Sequence, residues 1–281
     1  MRIVILPTDF SENAFNALHC AFQYFKYERS RFVIVHAYGY EAANLATVTT
    51  GDDWQQHTKQ ELEASQLQLK QLQQRIQAQE PNPKHAIETV ATLGYLVDVV
   101  NDLVDSENAD LVVMGTRGKS VSRSVALGSN TVQMLKYVKC PVLGVPLSYV
   151  YERPSHMLFP SNLMIPFHSR ELKLISCLAN SYRSVIHLLY IADHDMLSDR
   201  QLEVKAFWES RFRESELKYH RSDQGNHAAI IKAYAAQNPV DLLVMVNSND
   251  NYLESLIQTP TVNELGLTLS IPFLILQNTP R

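Results

Sequence analysis

Between residues 111 and 130 the sequence sets an apolar run, Leu111-Val112-Val113-Met114, directly against Gly115-Thr116-Arg117-Gly118-Lys119-Ser120. Gly128-Ser129 follows and completes a G-x2-G-x9-G-[ST] spacing. Four of the nine glycines (Gly115, Gly118, Gly128, Gly144) fall in one 30-residue window, where about one is expected from composition. Glycine lets backbone approach a ligand closely and tolerates positive φ. Gly128-Ser129 also precedes a helical pattern, Val132, Leu135 and Lys136. A strand, a glycine loop and a helix N-terminus in succession make an anion site, because unpaired N–H groups and the helix dipole point the same way. The first chemistry implied is binding of a phosphorylated ligand, with a nucleotide as the expected class.

Two familiar phosphate motifs are excluded by spacing. Gly118-Lys119-Ser120 resembles the end of a Walker loop, but that motif needs glycine where Val113 stands. No stretch fits the G-x-G-x-x-G dinucleotide fingerprint. Lys119 reads as solvent-facing or as added positive charge beside Arg117. No nucleophile–base pair and no metal-ligand spacing is visible, so no catalytic residue and no metal site are expected.

These residues need a frame that positions them. Ile3 to Leu6 is a short apolar run of the kind found in strands buried on both faces. Ser11 is placed to cap a helix running to about Phe25. Phe32 to Ala37, Ala86 to Ala91, Leu111 to Met114 and Val142 to Val145 read as further strands. Leu96, Val99, Val100, Leu103 and Val104 repeat at helical spacing. A long helix after Gly51 is stopped by Pro81 and Pro83. Its segment 55–79 holds ten glutamines. Leu62, Leu69, Leu72 and Ile76 form one apolar stripe, so an amphipathic helix is expected, with a short coiled coil as the sharper alternative. Strands alternating with helices imply parallel sheets covered on both faces.

At 281 residues, 46% hydrophobic and 19% charged, the chain suits two ordinary domains with substantial cores. A net charge of −4 argues against nucleic-acid or membrane-surface binding. There is no apolar run long enough for a transmembrane helix or signal peptide. Cys20, Cys140 and Cys177 read as reduced thiols, so a cytoplasmic protein is expected.

The sequence also repeats itself. Leu6-Pro7-Thr8-Asp9 resembles Phe159-Pro160-Ser161-Asn162, and Asp110 to Met114 resembles Asp241 to Met245. Cys140-Pro141-Val142-Leu143 resembles Ile271-Pro272-Phe273-Leu274. Ile34-Val35-His36 resembles Val185-Ile186-His187. The offsets are 153, 131, 131 and 151, so the first half carries an insertion of about 20 residues. Domains of residues 1–147 and 154–281 follow, joined near Leu147 to Pro154. On this pairing His187 repeats His36, which reads His36 as a hydrogen-bonded core histidine.

Pro7-Thr8-Asp9-Phe10-Ser11, Val35-His36-Ala37, the glycine spacing from Gly115 to Ser129, and Cys140 to Pro146 together resemble the universal stress protein family, in its ATP-binding form. The resemblance covers the chain as two copies. It implies an α/β fold of two tandem doubly wound domains, each a five-stranded parallel sheet in the order 3-2-1-4-5 flanked by helices. Asp9 and Gly115 then end the strands at the reversal of strand order, where open α/β sheets bind ligands. The resemblance implies ATP, ADP or AMP, with Mg²⁺ carried on the phosphates. Asp9 and the backbone around Ala37 would hold the adenosine end, and Gly115, Arg117 and Gly118 would line the ribose and phosphate path, with Pro7, Thr8 and Met114 also among the binding residues. Gly128, Ser129 and Asn130 would meet the phosphates. Asp9 as a mere helix cap, and the glycines as turn residues only, remain open.

In the second half Gly115, Gly118, Gly128 and Ser129 are replaced by Val246, Asn249, Thr259 and Pro260, and Asp9 by Asn162, so one site per chain is expected. The resemblance further implies that the two domains pack as an intramolecular pseudo-dimer through Val142–Val145 and Phe273–Leu276, with a homodimer also open. The implied role is a stress-response nucleotide sensor or signalling protein. A slow ATP hydrolase or nucleotidyl transferase, and a scaffold without ligand, are the alternatives.

Overall fold

The computed structural model describes residues 1–39, 51–118, 127–164, 167, 169–191, 196–223, 225–247 and 270–277. The chain divides into two compact units, one built around residues 1–121 and 128–142, the other around 143–281. The first repeat runs β1 (Arg2–Pro7), α1 (Glu12–Tyr24), β2 (Ser30–Tyr38), α2 (Gly51–Gln79), β3 (His85–Leu93), α3 (Leu96–Glu107), β4 (Leu111–Gly115), α4 (Ser129–Tyr137) and β5 (Val142–Val145). The second runs β6 (His156–Ser161), α5 (Ser169–Tyr182), β7 (Val185–Ile191), α6 (Asp199–Arg211), β8 (Glu216–Ser222), α7 (His227–Gln237), β9 (Leu242–Asn247) and β10 (Phe273–Gln277). Strand order is β3-β2-β1-β4-β5 in the first repeat and β8-β7-β6-β9-β10 in the second. Both are the doubly wound order 3-2-1-4-5, with parallel pairing between β1, β2, β3 and β4 and between β6, β7, β8, β9 and β10.

Central strands lack any alternation because helices cover both faces. Val4, Ile5, Leu6, Phe32 and Ile34 are wholly buried, as are Val112 and Val113. Each such side chain contributes roughly 1.5–3 kcal/mol on leaving water. α1 starts where the Ser11 side chain accepts from Ala14 N at 3.1 Å. α3 buries Val99, Val100 and Val104 and ends on Asn108 in the left-handed region, which asparagine tolerates. α2 buries Ser65, Leu69 and Ile76 along one stripe and leaves glutamines outward. Gln73 turns inward and donates to Ile87 O at 2.8 Å. Among the described residues no helix is long and apolar enough to cross a membrane.

The two repeats can be matched atom by atom. Asp110 accepts from Ile3 N and returns its own N–H to Ile3 O, and Asp241 does the same with His156. Val112 N donates to Pro141 O, and Leu243 N to Pro272 O. These pairs hold the offsets 153 and 131. The second strand corrects its sequence pairing. Leu6 faces Ile34 and Phe159 faces Leu188, so Ile34 and Leu188 correspond, 154 positions apart rather than 151. His36 therefore corresponds to Tyr190, and His187 to Val33. Two apolar residues followed by a histidine occur in both strands by coincidence, and the registers show that these histidines are not equivalent. The surplus of the first repeat lies between its second and third strands, where α2 has 29 residues and α6 has 13.

Candidate functional site

The carboxyl ends of β1 and β4 meet at the first repeat's reversal of strand order. After Pro7 the chain leaves β1 through Thr8, whose N–H donates to Val35 O at 2.9 Å. The Thr8 carbonyl bonds His36 Nδ1 at 2.7 Å, tying the ends of β1 and β2 together. Phe10 takes a left-handed φ of 61°, supported by its N–H on Thr8 Oγ1 and by its ring 4.6 Å from that of His36. Asp9 Oδ1 accepts from Ser11 N at 3.0 Å, a turn closed by an Asx side chain. His36 is thus a half-buried, hydrogen-bonded linker, and Ala37 follows it one step further along β2.

From β4 the loop arrives opposite. Thr116 is buried, Arg117 half-buried and Gly118 exposed. Arg117 N donates to Asn13 Oδ1 at 2.9 Å, and Asn13 is only 2% exposed. A Cβ on Gly115 would stand 2.7 Å from Asn13 Cγ and 2.9 Å from its backbone carbonyl carbon. Gly115 is thus required by the close passage of α1. A Cβ on Gly118 would stand 3.0 Å from Asp9 Oδ2. The glycine loop and the β1 loop therefore converge on one point, and there the demand for glycine comes from a carboxylate. Gly144 belongs elsewhere, since a Cβ on it would lie 2.4 Å from the Phe273 ring.

The loop returns at Gly128, whose N–H donates to Thr116 O at 2.9 Å. Gly128 caps α4 in an ordinary extended conformation, φ −67°, with no side-chain hydrogen bond. Ser129 and Asn130 are exposed in the first turn. Buried Thr131 fixes the junction by donating its hydroxyl to Thr116 O at 3.0 Å. Asn13 and Thr131 were not singled out from sequence. Their signal, a polar residue at a helical position that should be apolar, is visible only once the helix face is known. Lys119 and Ser120 lie outside the described residues. Among the described residues no group of three or more His, Cys, Asp or Glu could hold a metal ion.

The second repeat keeps the first turn, and a glutamine spans the neighbouring strand ends. Leu163 has φ 58°, its N–H on Ser161 Oγ at 2.9 Å, and Met164 N donates to Asn162 Oδ1 at 3.0 Å. Gln201, at the start of α6, donates to Asn162 O at 2.8 Å and to the Tyr190 hydroxyl at 3.2 Å. It bridges the ends of β6 and β7. Asn247 stands where the first repeat has Thr116 and donates to Gln277 Oε1, while Gln277 N donates to the buried Glu171 carboxylate. Val246 replaces Gly115. Asn249, Thr259 and Pro260 lie outside the described residues.

Residues 1–146 match the universal stress protein family model. The chain belongs to that family. A universal stress protein of Synechocystis sp. strain PCC 6803 is 26% identical over 145 residues, 52% of this chain and 85% of the relative. A universal stress protein structure from Archaeoglobus fulgidus DSM 4304 aligns over 98% of this chain and 96% of its own, with TM-score 0.65 and 18% identity. A functionally unknown protein from Pseudomonas aeruginosa PAO1 aligns over 99% and 92%, with TM-score 0.56 and 13% identity. These two structures share the fold across both repeats.

Proposed function

We propose that the first repeat binds an adenine nucleotide, ATP or its relatives ADP and AMP, and that the chain serves in the cytoplasm as a stress-response sensor or signalling protein. The observation that carries the reading is the pair Asp9 and Asn162. Both close the same turn with the same hydrogen bond. The turn therefore needs an Asx side chain and not a charge. A carboxylate is kept only in the repeat that also keeps the glycines, and it points its second oxygen at Gly118. Carboxylate oxygens accept ribose hydroxyl or base N–H hydrogen bonds. The start of α4 at Gly128, Ser129 and Asn130, where the N-cap residue offers no side-chain acceptor, suits phosphate oxygens, and Arg117 adds charge beside them.

On this reading Pro7, Thr8, Asp9 and Ala37 flank the adenosine, Met114, Gly115, Arg117 and Gly118 line the path to the phosphates, and Mg²⁺ rides on the phosphates. Gly115 acts indirectly, by letting α1 and its Asn13 hold the loop. The second repeat takes no nucleotide in this way, since Gln201 already spans the corresponding strand ends. We also infer domains of residues 1–147 and 154–281.

Titration of a fluorescent ATP analogue against the full chain tests the site. Wild type should bind one equivalent. Asp9→Asn should keep the turn, as Asn162 does in the second repeat, and lose roughly tenfold to hundredfold in affinity, the loss of a charged hydrogen bond. Gly118→Val should weaken binding at least as much. Equal affinity in all three proteins would refute the assignment. Mass spectrometry of the supernatant from denatured purified protein identifies which nucleotide travels with the chain.

A further inference from the structure

The second repeat carries a group of titratable side chains unrelated to the crevice. β6, β7 and β8 are adjacent and parallel, with Leu158 opposite His187 and His187 opposite Lys218. Steps of two along a strand keep the same face, so His156, His187 and His220 all point to one side of the sheet. Tyr234 of α7 lies over them. His156 Nδ1 is 3.0 Å from His187 Nε2, and His187 Nδ1 is 2.8 Å from the Tyr234 hydroxyl. The His187 and His220 rings stack at 5.7 Å and 12°, and His220 meets Tyr234 edge-on at 4.8 Å. His187 is 3% exposed, and His220 Nε2 is buried with no hydrogen-bond partner.

A neutral imidazole has one donor and one acceptor, which satisfies the chain His156–His187–Tyr234 in either direction. A proton on His187 makes both its nitrogens donors, and a second on His156 turns two donors toward each other across 3.0 Å. The surroundings give little relief. β6 contributes His156, β8 contributes Glu216, Lys218 and His220, and α7 contributes Tyr234, with His227 and Lys232 elsewhere on that helix. Glu216 is the one acid among the groups acting on His187, against His156, His220 and Lys218.

We propose that this histidine–tyrosine cluster is an acid-sensitive latch that holds β8 and α7, the outer edge of the second repeat, onto the sheet at neutral pH and releases them as the medium acidifies. The cluster joins those two elements to β6 and β7 through buried side chains, and the fold favours the neutral form of His187 among them. Burial and the neighbouring His156 and His220 push His187 down to about 4 from its ordinary value of 6.5. The sign follows. A histidine depressed in the fold contributes its full stability above the unfolded value, and loses it as pH falls from about 6.5 to about 4.

Native-state hydrogen exchange by mass spectrometry on the full chain, from pH 7.5 to 4.5 and corrected for intrinsic rates, tests the latch. Opening of peptides in 216–222 and 227–237 should rise by up to about tenfold per pH unit below 6.5, the slope of one proton. Peptides of β1 and β2 serve as the internal reference. His187→Gln keeps a donor and an acceptor without titrating, and should flatten the slope. Tyr234→Phe removes the hydroxyl partner and should open the edge more at every pH while leaving the slope in place. An edge that opens no more at pH 5 than at pH 7, a slope unchanged in His187→Gln, or opening equally distributed over β1 and β2 would overturn the proposal. Should His187→Gln not fold, His220→Gln supplies the same test: it removes the stacked neighbour and should shallow the slope, and an unaltered slope there refutes the latch.

Discussion

Replacing Gly115 by alanine separates packing from binding. The added methyl would sit 2.7 Å from Asn13 Cγ, 2.8 Å from its Oδ1 and 2.9 Å from its backbone carbonyl carbon. Carbon atoms rest at about 3.5–4.0 Å. The side chain can swing away, but only by giving up its bond to Arg117 N, worth about 1 kcal/mol. The backbone carbon cannot swing, so α1 or the end of β4 must move by roughly half an ångström or more, at an overpacking cost of about 1–3 kcal/mol. Together Gly115→Ala should destabilise the first unit by about 2–4 kcal/mol. Urea unfolding followed by hydrogen exchange in residues 1–39 and 96–115 reads this directly. Gly118→Ala is the companion, because among the described residues its methyl meets only Asp9 Oδ2, at 3.0 Å. That carboxylate is the far end of a side chain, so the fold should lose under about 1 kcal/mol, within the range of surface changes. In the double variant Asn13→Ala with Gly115→Ala, the side-chain contacts vanish and the backbone contact stays. Its loss should fall below the sum of the two single losses. Full stability in Gly115→Ala, or strict additivity in the double variant, would refute the packing account of this glycine.

Thr131→Val removes the hydroxyl that holds Thr116 O and keeps the side-chain volume; the buried junction should lose about 1–2 kcal/mol, measured by urea unfolding, and the nucleotide affinity should fall with it. Burial pushes the Cys20 thiol up to about 12, and Cys140 is equally enclosed, so iodoacetamide at pH 8 should modify half-buried Cys177 first and the other two only on unfolding, as peptide mass spectrometry would register.

Much of this fold is legible from hydrophobic runs because its central strands are buried on both faces. Val4 to Leu6 and Leu111 to Met114 have no other stable place than a covered parallel sheet. The internal repeat was legible wherever a polar residue marks the register. Asp110 and Asp241 each clamp a neighbouring strand, and Asp9 and Asn162 each close a turn. It fails at β2 and β7, where His36 and His187 look alike in sequence but stand three register steps apart. At the site, the convergence of Asp9 and Gly118 follows from topology. The division of labour among the glycines does not, because Gly115 answers to Asn13 across 102 positions of sequence and Gly144 to Phe273. Helix faces decide such pairs, and one sequence does not state which face of α1 passes over which strand.

Phe10 and Leu163 share an uncommon backbone conformation at matching places in the two repeats. A strained residue beside a crevice is ordinarily taken as a pointer to function. Here the molecule supplies its own control. Leu163 keeps the conformation in a repeat whose crevice is spanned by Gln201, so the strain belongs to the strand-to-helix corner itself. In tandem proteins of this kind, a geometric oddity gains weight as a marker of binding only when the sister repeat lacks it. By that standard Phe10 is architecture, while the carboxylate one residue earlier, which the sister repeat does not keep, is the feature to pursue.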